Sequence, residues 1–319
     1  MADQQIDTEA YTWPFQLTKT MHRDVYPAVD PANPQLSAKG KTVLITGGGG
    51  TIGKVRCVLG TVVFGQPRLI IVFAQDIAKA WATAHADHII LVGRTSTSLE
   101  AVERDLQSIN PGCKTTILLV DTRNEESVKS LFEILVEREI KVDVLIDTAA
   151  SINNAVTGTL SPTQWFNDFE ANVKAPYILS HYMMATYGDE QSTVIVMASN
   201  AAAVVVPGMS SYNCSKLAVT RVLEFLQLGT CGSDQCSIGL RTKRIPEHPK
   251  MRYFALSPGN VESPLTNPMF LPFAKDTGAL SGGWTLYLAT QKAEYLKGGF
   301  LNVNCKLSFP ALLMVAVVV

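Results

Sequence analysis

The sequence predicts an α/β fold in which one doubly wound parallel sheet carries helices on both faces. Short apolar runs rich in β-branched residues alternate with amphipathic helical segments along most of the 319 residues, and this alternation is typical of such a sheet. The first run, residues 41–46, leads into a glycine cluster at 47–50, as in α/β proteins whose first turn approaches a phosphate. A third observation is the pair Tyr212 and Lys216, on the helix that follows the fifth run.

Composition narrows the class of protein. The chain is 47% hydrophobic and 17% charged, with a formal net charge of −1, which suits one large α/β domain or two small ones. Near-neutral charge gives no electrostatic reason to expect nucleic acid or an anionic membrane surface as a partner. Residues 1–9 do not resemble a secretory signal, so a cytoplasmic protein with six reduced cysteines is expected. No cysteine pair has metal-ligand spacing and the five histidines are scattered, so no metal site is assigned.

The individual elements follow from local patterns. Residues 1–39 contain four prolines and no sustained period, which predicts an arm lying over a core. Residues 41–46 fit a buried parallel strand because the run is short, apolar and β-branched. A helix over 125–139 is predicted from apolar residues three and four apart, and one over 98–109 ends at a Pro-Gly pair. The other predicted strands are 88–92, 115–120, 142–146, 193–198 and 251–256, and the other helices are 171–187 and 209–228.

Tyr212 and Lys216 indicate proton-transfer chemistry. Residues four apart share a helix face, so the phenol and the ammonium can point into one pocket. A nearby lysine favours the phenolate and is expected to lower the pKa of the phenol toward the range that a general acid needs. Ser199 lies thirteen positions before the tyrosine, at the end of an apolar strand. The tyrosine–lysine spacing alone is a weak signal, but the serine and the glycine turn make it specific.

Together these motifs resemble the short-chain dehydrogenase/reductase family over about residues 40–303, and most closely its fungal members. The resemblance implies a single Rossmann-type domain over 40–303, with an arm at 1–39 and an apolar tail at 304–319. It also implies hydride transfer between a nicotinamide cofactor and an alcohol or carbonyl compound, a chemistry supplied by the cofactor. Many fungal members act in secondary metabolism, so that role is expected here.

The resemblance assigns the catalytic residues by position. Ser199 would bind the substrate carbonyl and stabilise developing negative charge. Tyr212 would donate the proton in reduction or accept it in oxidation, and Lys216 would bind the nicotinamide ribose and tune Tyr212. Asn172 matches the family's helix asparagine, which holds a water in the proton relay to the lysine.

The same resemblance implies how the cofactor is bound. Arg94 directly follows the second strand, where a guanidinium favours the 2′-phosphate of NADP(H) over NAD(H). Asp121 matches the acid near the adenine ring, and the Pro-Gly segment from 258 matches the one that contacts the nicotinamide carboxamide. The implied cofactor-binding residues are Gly47, Thr51, Ile52, Gly53, Arg94, Asp121, Ala149, Tyr212, Lys216, Val261 and Ser263.

Two motifs depart from the family pattern. The turn Thr46-Gly47-x-x-x-Thr51-Ile52-Gly53 carries a threonine where the family has a glycine. Its Cβ could crowd the pyrophosphate, although its hydroxyl could also donate to a phosphate oxygen. At the fourth strand the family usually has Asn-Asn-Ala-Gly, whereas this chain has Asp147-Thr148-Ala149-Ala150, so only Ala149 matches.

Three segments exceed what the fold requires. Dinucleotide folds place the ribose-reading residue about 20 positions beyond the glycine turn, but Arg94 lies 41 positions after Gly53. The excess coincides with 55–75, a second surplus covers 229–246, and the uncharged end, 307–319, is too short to cross a bilayer. One hypothesis is that the first two are translated introns and that the tail is a frame or splice error. The alternative is genuine insertion, forming a lid or a partner surface.

The leading functional hypothesis is an NADP(H)-dependent oxidoreductase that interconverts a ketone or aldehyde and an alcohol. The alternative is a catalytically impaired nucleotide-binding or scaffold protein from a mis-spliced gene, and a third hypothesis is membrane attachment through the tail. An epimerase or dehydratase is disfavoured by the Thr46-Gly47 opening of the turn. Apolar residues at 269–273 suggest either a small hydrophobic substrate under a lid or a dimer contact, and a homo-oligomer is expected.

Overall fold

The computed structural model describes residues 7–9, 12–47, 72–230, 250–262 and 268–307. Within these residues seven strands form one sheet, in which every paired neighbour is parallel. The strands are β1 Thr42–Thr46, β2 His88–Gly93, β3 Lys114–Leu119, β4 Val144–Asp147, β5 Ser192–Met197, β6 Met251–Ser257 and β7 Phe300–Asn302. Their order across the sheet is β3-β2-β1-β4-β5-β6-β7.

This strand order confirms the predicted doubly wound α/β fold. The chain moves outward from β1 to β3 on one side and then returns to place β4 against β1 on the other. In open parallel sheets, ligands bind at such a reversal, outside the carboxyl ends of the strands. The crevice between the ends of β1 and β4 is therefore where a cofactor is expected.

Helices cover both faces of the sheet. They are α1 Val72–Thr83, α2 Ser96–Ile109, α3 Glu125–Glu137, α4 Pro162–Phe169, α5 Ala175–Tyr187, α6 Ser210–Thr230 and α7 Gly278–Leu288, with a π-helical turn at Glu170–Lys174. Successive strand residues face opposite sides, so Val43 and Ile45 pack in one apolar layer with α1, α2 and α7, and Leu44 packs in the other with α3, α5 and α6. Both faces of the sheet are consequently buried, as a parallel sheet requires.

The predicted elements agree with the observed ones to within two residues at each strand end. Two helix predictions need correction. The helix expected at 125–139 ends at Glu137 because Glu139 adopts a left-handed backbone, with φ of 53°. The helix expected at 171–187 begins as the π-helical turn and becomes α-helical only at Ala175. The strand β7 and the helices α4 and α7 were not predicted.

Residues 12–39 lie against the apolar layer that contains α7. Val29 and Leu36 are buried there, and the backbone carbonyl of Val29 approaches Gly283 of α7 so closely that a Cβ would lie 1.8 Å from it. The arm is thus packed on the body of the molecule rather than extending away from it.

Several expectations concern residues outside the described ranges. Thr51, Ile52, Gly53 and Ser263 lie there, as do residues 55–71, 231–246 and 308–319 of the three surplus segments. Since α1 begins at Val72, the last four residues of the segment 55–75 are helical. Among the helices in the described part of the chain, none is both long and apolar enough to cross a membrane.

Candidate active site

Ser199 and Tyr212 meet at the carboxyl edge of the sheet. Ser199 follows β5 in an extended conformation, and its hydroxyl accepts a hydrogen bond of 3.1 Å from the backbone N–H of Ala201. Tyr212 lies in the first turn of α6, and its hydroxyl is hydrogen-bonded to the side chain of Ser199. The strand end and the helix start therefore bring together two hydroxyl groups that lie thirteen positions apart in the chain.

Lys216 lies one helical turn beyond Tyr212 and is only 2% exposed. Its Nζ donates to the backbone carbonyl of Met197 at 2.7 Å and stands 5.8 Å from the centroid of the Tyr212 ring. The predicted sharing of one helix face is therefore observed. An ammonium has three N–H donors, and the bond to Met197 is its one hydrogen bond among the described residues, so two donors remain for a ligand.

Burial controls the protonation of this pair. Desolvation raises the pKa of Tyr212, the hydrogen bond from Ser199 opposes that change, and the charge of Asp168 reinforces it. The pKa of Tyr212 is therefore raised rather than lowered as expected, because desolvation is the largest of these influences. Burial lowers the pKa of Lys216 to about 8, although the carboxyl groups of Asp147 and Asp168 act in the opposite direction.

Asn172 occupies the π-helical turn and is fully buried. Its Oδ1 accepts from the backbone N–H of Ser151 at 2.8 Å, and its Nδ2 donates to the Ser151 carbonyl at 2.8 Å and to Ser215 Oγ at 2.9 Å. The side-chain amide thus joins the segment after β4 to the catalytic helix α6. Because all of these groups belong to the protein, the amide acts as a structural connection between the two elements.

Sequence reasoning missed Asp168. Its carboxylate is buried and accepts hydrogen bonds from Ser151 Oγ at 2.8 Å and from the Asn153 amide Nδ2 at 2.7 Å. The signal that could have found it is a capping box at Ser161 and Gln164, which fixes the start of α4. From that start Trp165, Asp168 and Asn172 fall at spacings of three and four, along one face of the helix.

Asp147, where the family usually has asparagine, lies at the end of β4. Its Oδ1 accepts from the Thr46 hydroxyl and, at 3.2 Å, from the Ala149 N–H. Its Oδ2 is buried without a hydrogen-bond partner among the described residues. Burial raises the pKa of this carboxyl, opposed first by the Thr46 hydroxyl and then by the charge of Lys216.

The described cofactor-binding candidates all lie at the carboxyl edge of the sheet. Gly47 follows β1, and a Cβ there would stand 2.5 Å from Thr148 Oγ1, so only glycine fits this contact. Arg94 is exposed directly after β2. The candidates that follow the other strands are Asp121 after β3, Ala149 after β4 and Val261 after β6.

Asp121 is held by its neighbour. Arg123 donates to both carboxylate oxygens, through Nε at 2.9 Å and Nη2 at 2.6 Å. This pair lowers the pKa of Asp121, and the charge of Arg94 lowers it further. The carboxyl ends of β2 and β3 are therefore followed by two guanidinium groups, those of Arg94 and Arg123, and by the carboxylate of Asp121.

These residues fit a nicotinamide dinucleotide. A phosphate-bearing cofactor with ribose hydroxyls is matched by three features. They are a glycine that admits close backbone approach, an exposed arginine after β2 and a buried lysine with free donors.

Among the described residues, no group of three or more His, Cys, Asp or Glu side chains could hold a metal ion.

The family model described as short chain dehydrogenase matches residues 72–230. The chain is similar to the short chain dehydrogenase pigC of Monascus ruber, with 26% identity over 301 residues that cover 91% of this chain and 86% of that protein. It is also similar to the short chain dehydrogenase mpl6 of Monascus purpureus, with 26% identity over 310 residues that cover 92% and 89% of the two chains.

Solved structures share the fold. A short-chain dehydrogenase/reductase from Serratia marcescens superposes with a TM-score of 0.64 at 17% identity, covering 83% of this chain and 96% of the other. A dehydrogenase/reductase from Sinorhizobium meliloti gives 0.64 at 19% identity, covering 84% and 95%. Taken with the edge geometry, these findings show that the chain belongs to the short-chain dehydrogenase/reductase family, close to fungal members, and is an NAD(P)-dependent oxidoreductase.

Proposed function

We propose that the protein interconverts a ketone or aldehyde and an alcohol, with NADP(H) as the preferred cofactor. The observation that carries the proposal is the arrangement of Ser199, Tyr212 and Lys216, with a shared hydroxyl hydrogen bond and a buried ammonium beside the phenol ring. When bound, the nicotinamide supplies or accepts the hydride. The residues of the chain bind the substrate oxygen and move the proton.

The two hydroxyl groups have complementary roles. Ser199 and Tyr212 can both donate to a carbonyl oxygen placed between them, so negative charge that develops on that oxygen is stabilised. In reduction Tyr212 gives its hydroxyl proton to this oxygen, and in oxidation it takes a proton from the alcohol. The raised pKa of Tyr212 keeps the phenol protonated, which suits the direction of carbonyl reduction.

Lys216 supports the proton transfer from its position beside the Tyr212 ring. Its ammonium stabilises the phenolate left on Tyr212 after proton donation, and its remaining donors suit the ribose hydroxyls of the cofactor. Asn172 positions this helix through Ser215. Since its amide is already bonded to Ser151 and Ser215, a relay water would be held by the main chain of Asn172 rather than by its side chain.

The preference for NADP(H) is proposed from Arg94. A guanidinium at the end of β2 would pair with a 2′-phosphate, since its planar donor group suits phosphate geometry. An enzyme selective for NAD(H) would instead place a carboxylate near this position to bind the ribose 2′-hydroxyl.

A hydrophobic substrate is proposed from the surface beside Ser199. Val205, in the segment between Ser199 and α6, is 96% exposed, and Leu271, in the segment between β6 and α7, is also exposed. Exposed apolar side chains beside a reactive edge suit an apolar ligand.

A place in secondary metabolism is part of the proposal and rests on the similarity to fungal relatives.

The test is turnover of purified full-length protein. NADPH absorbance is followed with a panel of hydrophobic ketones and aldehydes, and each active substrate is repeated with NADH. Oxidation of NADPH that depends on a carbonyl substrate supports the proposal. Absence of turnover across the panel, with NADPH still bound, contradicts it.

A second candidate is a nucleotide-binding protein without catalysis. Two observations favour it: the family match begins at Val72, beyond the glycine turn, and Asp147 replaces the usual asparagine beside Lys216. Titration with NADPH, followed by tryptophan fluorescence, separates the two candidates, because this one predicts binding without carbonyl reduction.

A further inference from the structure

We propose that the N-terminal arm is a working part of the cofactor site, with Arg23 as a positioning residue. Arg23 holds Asp276, and Asp276 fixes the loop Pro258–Val261 that would face the nicotinamide. We use the name clamp for three residues together: Arg23, Asp276 and Asn260. The inference rests on the proposed function, because it assigns a cofactor-binding role to that loop.

The first step is the burial of Asp276. Its side chain has no exposed surface, and Oδ1 accepts from Arg23 Nη1 at 2.9 Å and from Asn304 Nδ2 at 2.7 Å. Arg23 is the one cation that forms an ion pair with it in the described part of the chain. Without the guanidinium, a buried carboxylate would keep only neutral donors, an unfavourable state for a charge removed from water.

The second step is that the loop is shaped against this carboxylate. The backbone N–H of Asn260 donates to Asp276 Oδ2 at 2.5 Å, and the Asp276 N–H donates back to the Asn260 carbonyl at 3.0 Å. Gly259 has φ of 80°, and a Cβ there would stand 2.5 Å from Asp276 Oδ2. The path of the loop therefore depends on where the carboxylate sits.

The third step is that the arm also contacts the loop directly. Thr12 is buried, and its Oγ1 accepts from Arg23 Nη1 at 3.0 Å and from Asn260 Nδ2 at 3.2 Å. The Arg23 carbonyl accepts from the N–H of Thr277, just before α7, at 2.9 Å. Glu9 forms a second ion pair with Arg23. The arm thus holds both the loop and the residue that precedes α7.

The last step connects the loop to the reacting groups. The loop follows β6, the neighbour of β5, which leads into Ser199. Ser281 of α7 donates to the Pro258 carbonyl at 2.8 Å, so both ends of the loop are fixed. Arg23 itself touches neither Ser199 nor Tyr212 through any hydrogen bond in the described residues, which is why its role is positioning rather than catalysis.

The experiment compares the full-length protein with Arg23→Ala, Arg23→Lys and a matched control, Tyr26→Phe. Tyr26 attaches the same arm elsewhere, through bonds of its hydroxyl to the Leu307 N–H at 3.0 Å and the Cys305 carbonyl at 3.4 Å. The readouts are NADPH Kd by fluorescence, KM for NADPH, kcat at saturating cofactor, and Tm.

Arg23→Ala is expected to raise the Kd and KM for NADPH about tenfold, within the range for coupled sites, while kcat falls much less. Arg23→Lys should recover part of the affinity, and Tyr26→Phe should leave it near the wild-type value. If Arg23→Ala does not fold, Thr12→Val serves instead. It keeps the ion pair, removes the hydroxyl that bridges Arg23 and Asn260, and should also weaken NADPH binding.

Two results would overturn the inference. One is wild-type NADPH affinity in a folded Arg23→Ala or Thr12→Val protein. The other is an equal loss of affinity in Tyr26→Phe, which would assign the effect to arm docking in general. A wild-type protein that binds neither NADPH nor NADH would overturn the proposed function together with the inference, so the two failures are distinguishable.

Discussion

At the scale of single residues, opposing influences set the pKa of Lys216. Burial disfavours its charge, while the carboxyl groups of Asp147 and Asp168 favour it. A lysine in bulk water would remain protonated far above neutral pH, but burial lowers the pKa of this one to about 8. The pair Tyr212 and Lys216 is therefore sensitive to each neighbour that changes either group's charge.

Tyr212→Phe should abolish turnover and leave NADPH binding nearly unchanged. The substitution removes the proton donor but keeps the ring against which Lys216 packs. Loss of a general acid typically reduces the rate by about 10²–10⁴-fold. Steady-state rates and NADPH titration of both proteins check this. Retention of more than about a tenth of the wild-type rate, well outside that range, would remove Tyr212 from the chemistry.

Lys216 should also affect stability in a pH-dependent way. Its pKa is about 8 in the folded protein against an ordinary 10.5, so below pH 8 both states are protonated and the burial penalty is fully present. Between pH 8 and 10.5 the unfolded chain binds more protons, so stability rises with pH. The free energy of unfolding should rise by about 3 kcal/mol across this window relative to Lys216→Met. Urea titrations of both proteins measure it, and parallel profiles would contradict it.

Arg94→Asp should shift cofactor preference from NADPH toward NADH. The substitution replaces a partner of the 2′-phosphate with a like charge, an effect of about 2–3 kcal/mol. The ratio of kcat/KM for the two cofactors measures it. Arg104→Asp, the same charge change on the exposed side of α2, is the control. An equal ratio in wild type and Arg94→Asp would show that Arg94 does not contact the cofactor.

At the scale of elements, α7 depends on small residues. Gly282 packs against Ala80 of α1, where a Cβ would stand 2.6 Å from the Ala80 Cβ. The next residue, Gly283, faces the arm at Val29. The two successive glycines therefore let the backbone of α7 make direct contact with both α1 and the arm.

Gly283→Ala should destabilise the protein by about 1–3 kcal/mol, because the new methyl group meets the rigid Val29 carbonyl and displaces the arm. In an unconstrained helix the same change stabilises by about 1 kcal/mol. Gly229→Ala in α6, where no atom of the described residues would lie within 4 Å of the new Cβ, should stabilise the protein in that ordinary way. Thermal melts of the two variants should move in opposite directions, and a higher Tm for Gly283→Ala would contradict the packing.

The elements also show what could be read from the sequence. Strands β1 to β6 were predictable because buried parallel strands appear as continuous apolar runs. Helix α7 was not, because it is buried around most of its circumference and so lacks the polar stripe that reveals an amphipathic helix. Asp168 was missed because α4 itself was not predicted, so the helix face that carries Trp165 and Asp168 was not recognised.

At the scale of the whole molecule, the described residues form a complete sheet without two of the surplus segments. The family match begins at Val72, where α1 begins, and ends at Thr230, where α6 ends. The match thus leaves out 55–71 and 231–246, and that 55–75 and 229–246 are additions to the family's domain stays a prediction. The first four residues of α1 belong to the domain instead, since Gln75 donates to Asp105 of α2 at 2.6 Å.

Deletion of 55–71 should raise Tm and NADPH affinity above those of the full-length protein. The deletion joins the glycine turn to α1, whose first-turn N–H groups can then face the pyrophosphate. Deletion of 55–75 should raise Tm and NADPH affinity less, because it also removes the first turn of α1 and the hydrogen bond from Gln75 to Asp105. Side-by-side melting and NADPH titration decide it. If the shorter deletion melts lower or binds more weakly, the segment is a genuine structural element.

The clamp has a consequence for how the protein is made. Arg23 and Asp276 are separated by 253 positions, and Asn304, which completes the carboxylate's bonds, comes later still. Contacts of such separation close late, because the entropy of a long loop must be lost first. On the ribosome the arm emerges early and must wait for almost the entire chain. A nascent protein therefore acquires its finished cofactor loop only after synthesis is nearly complete, and a prematurely terminated chain would leave Arg23 without its partner.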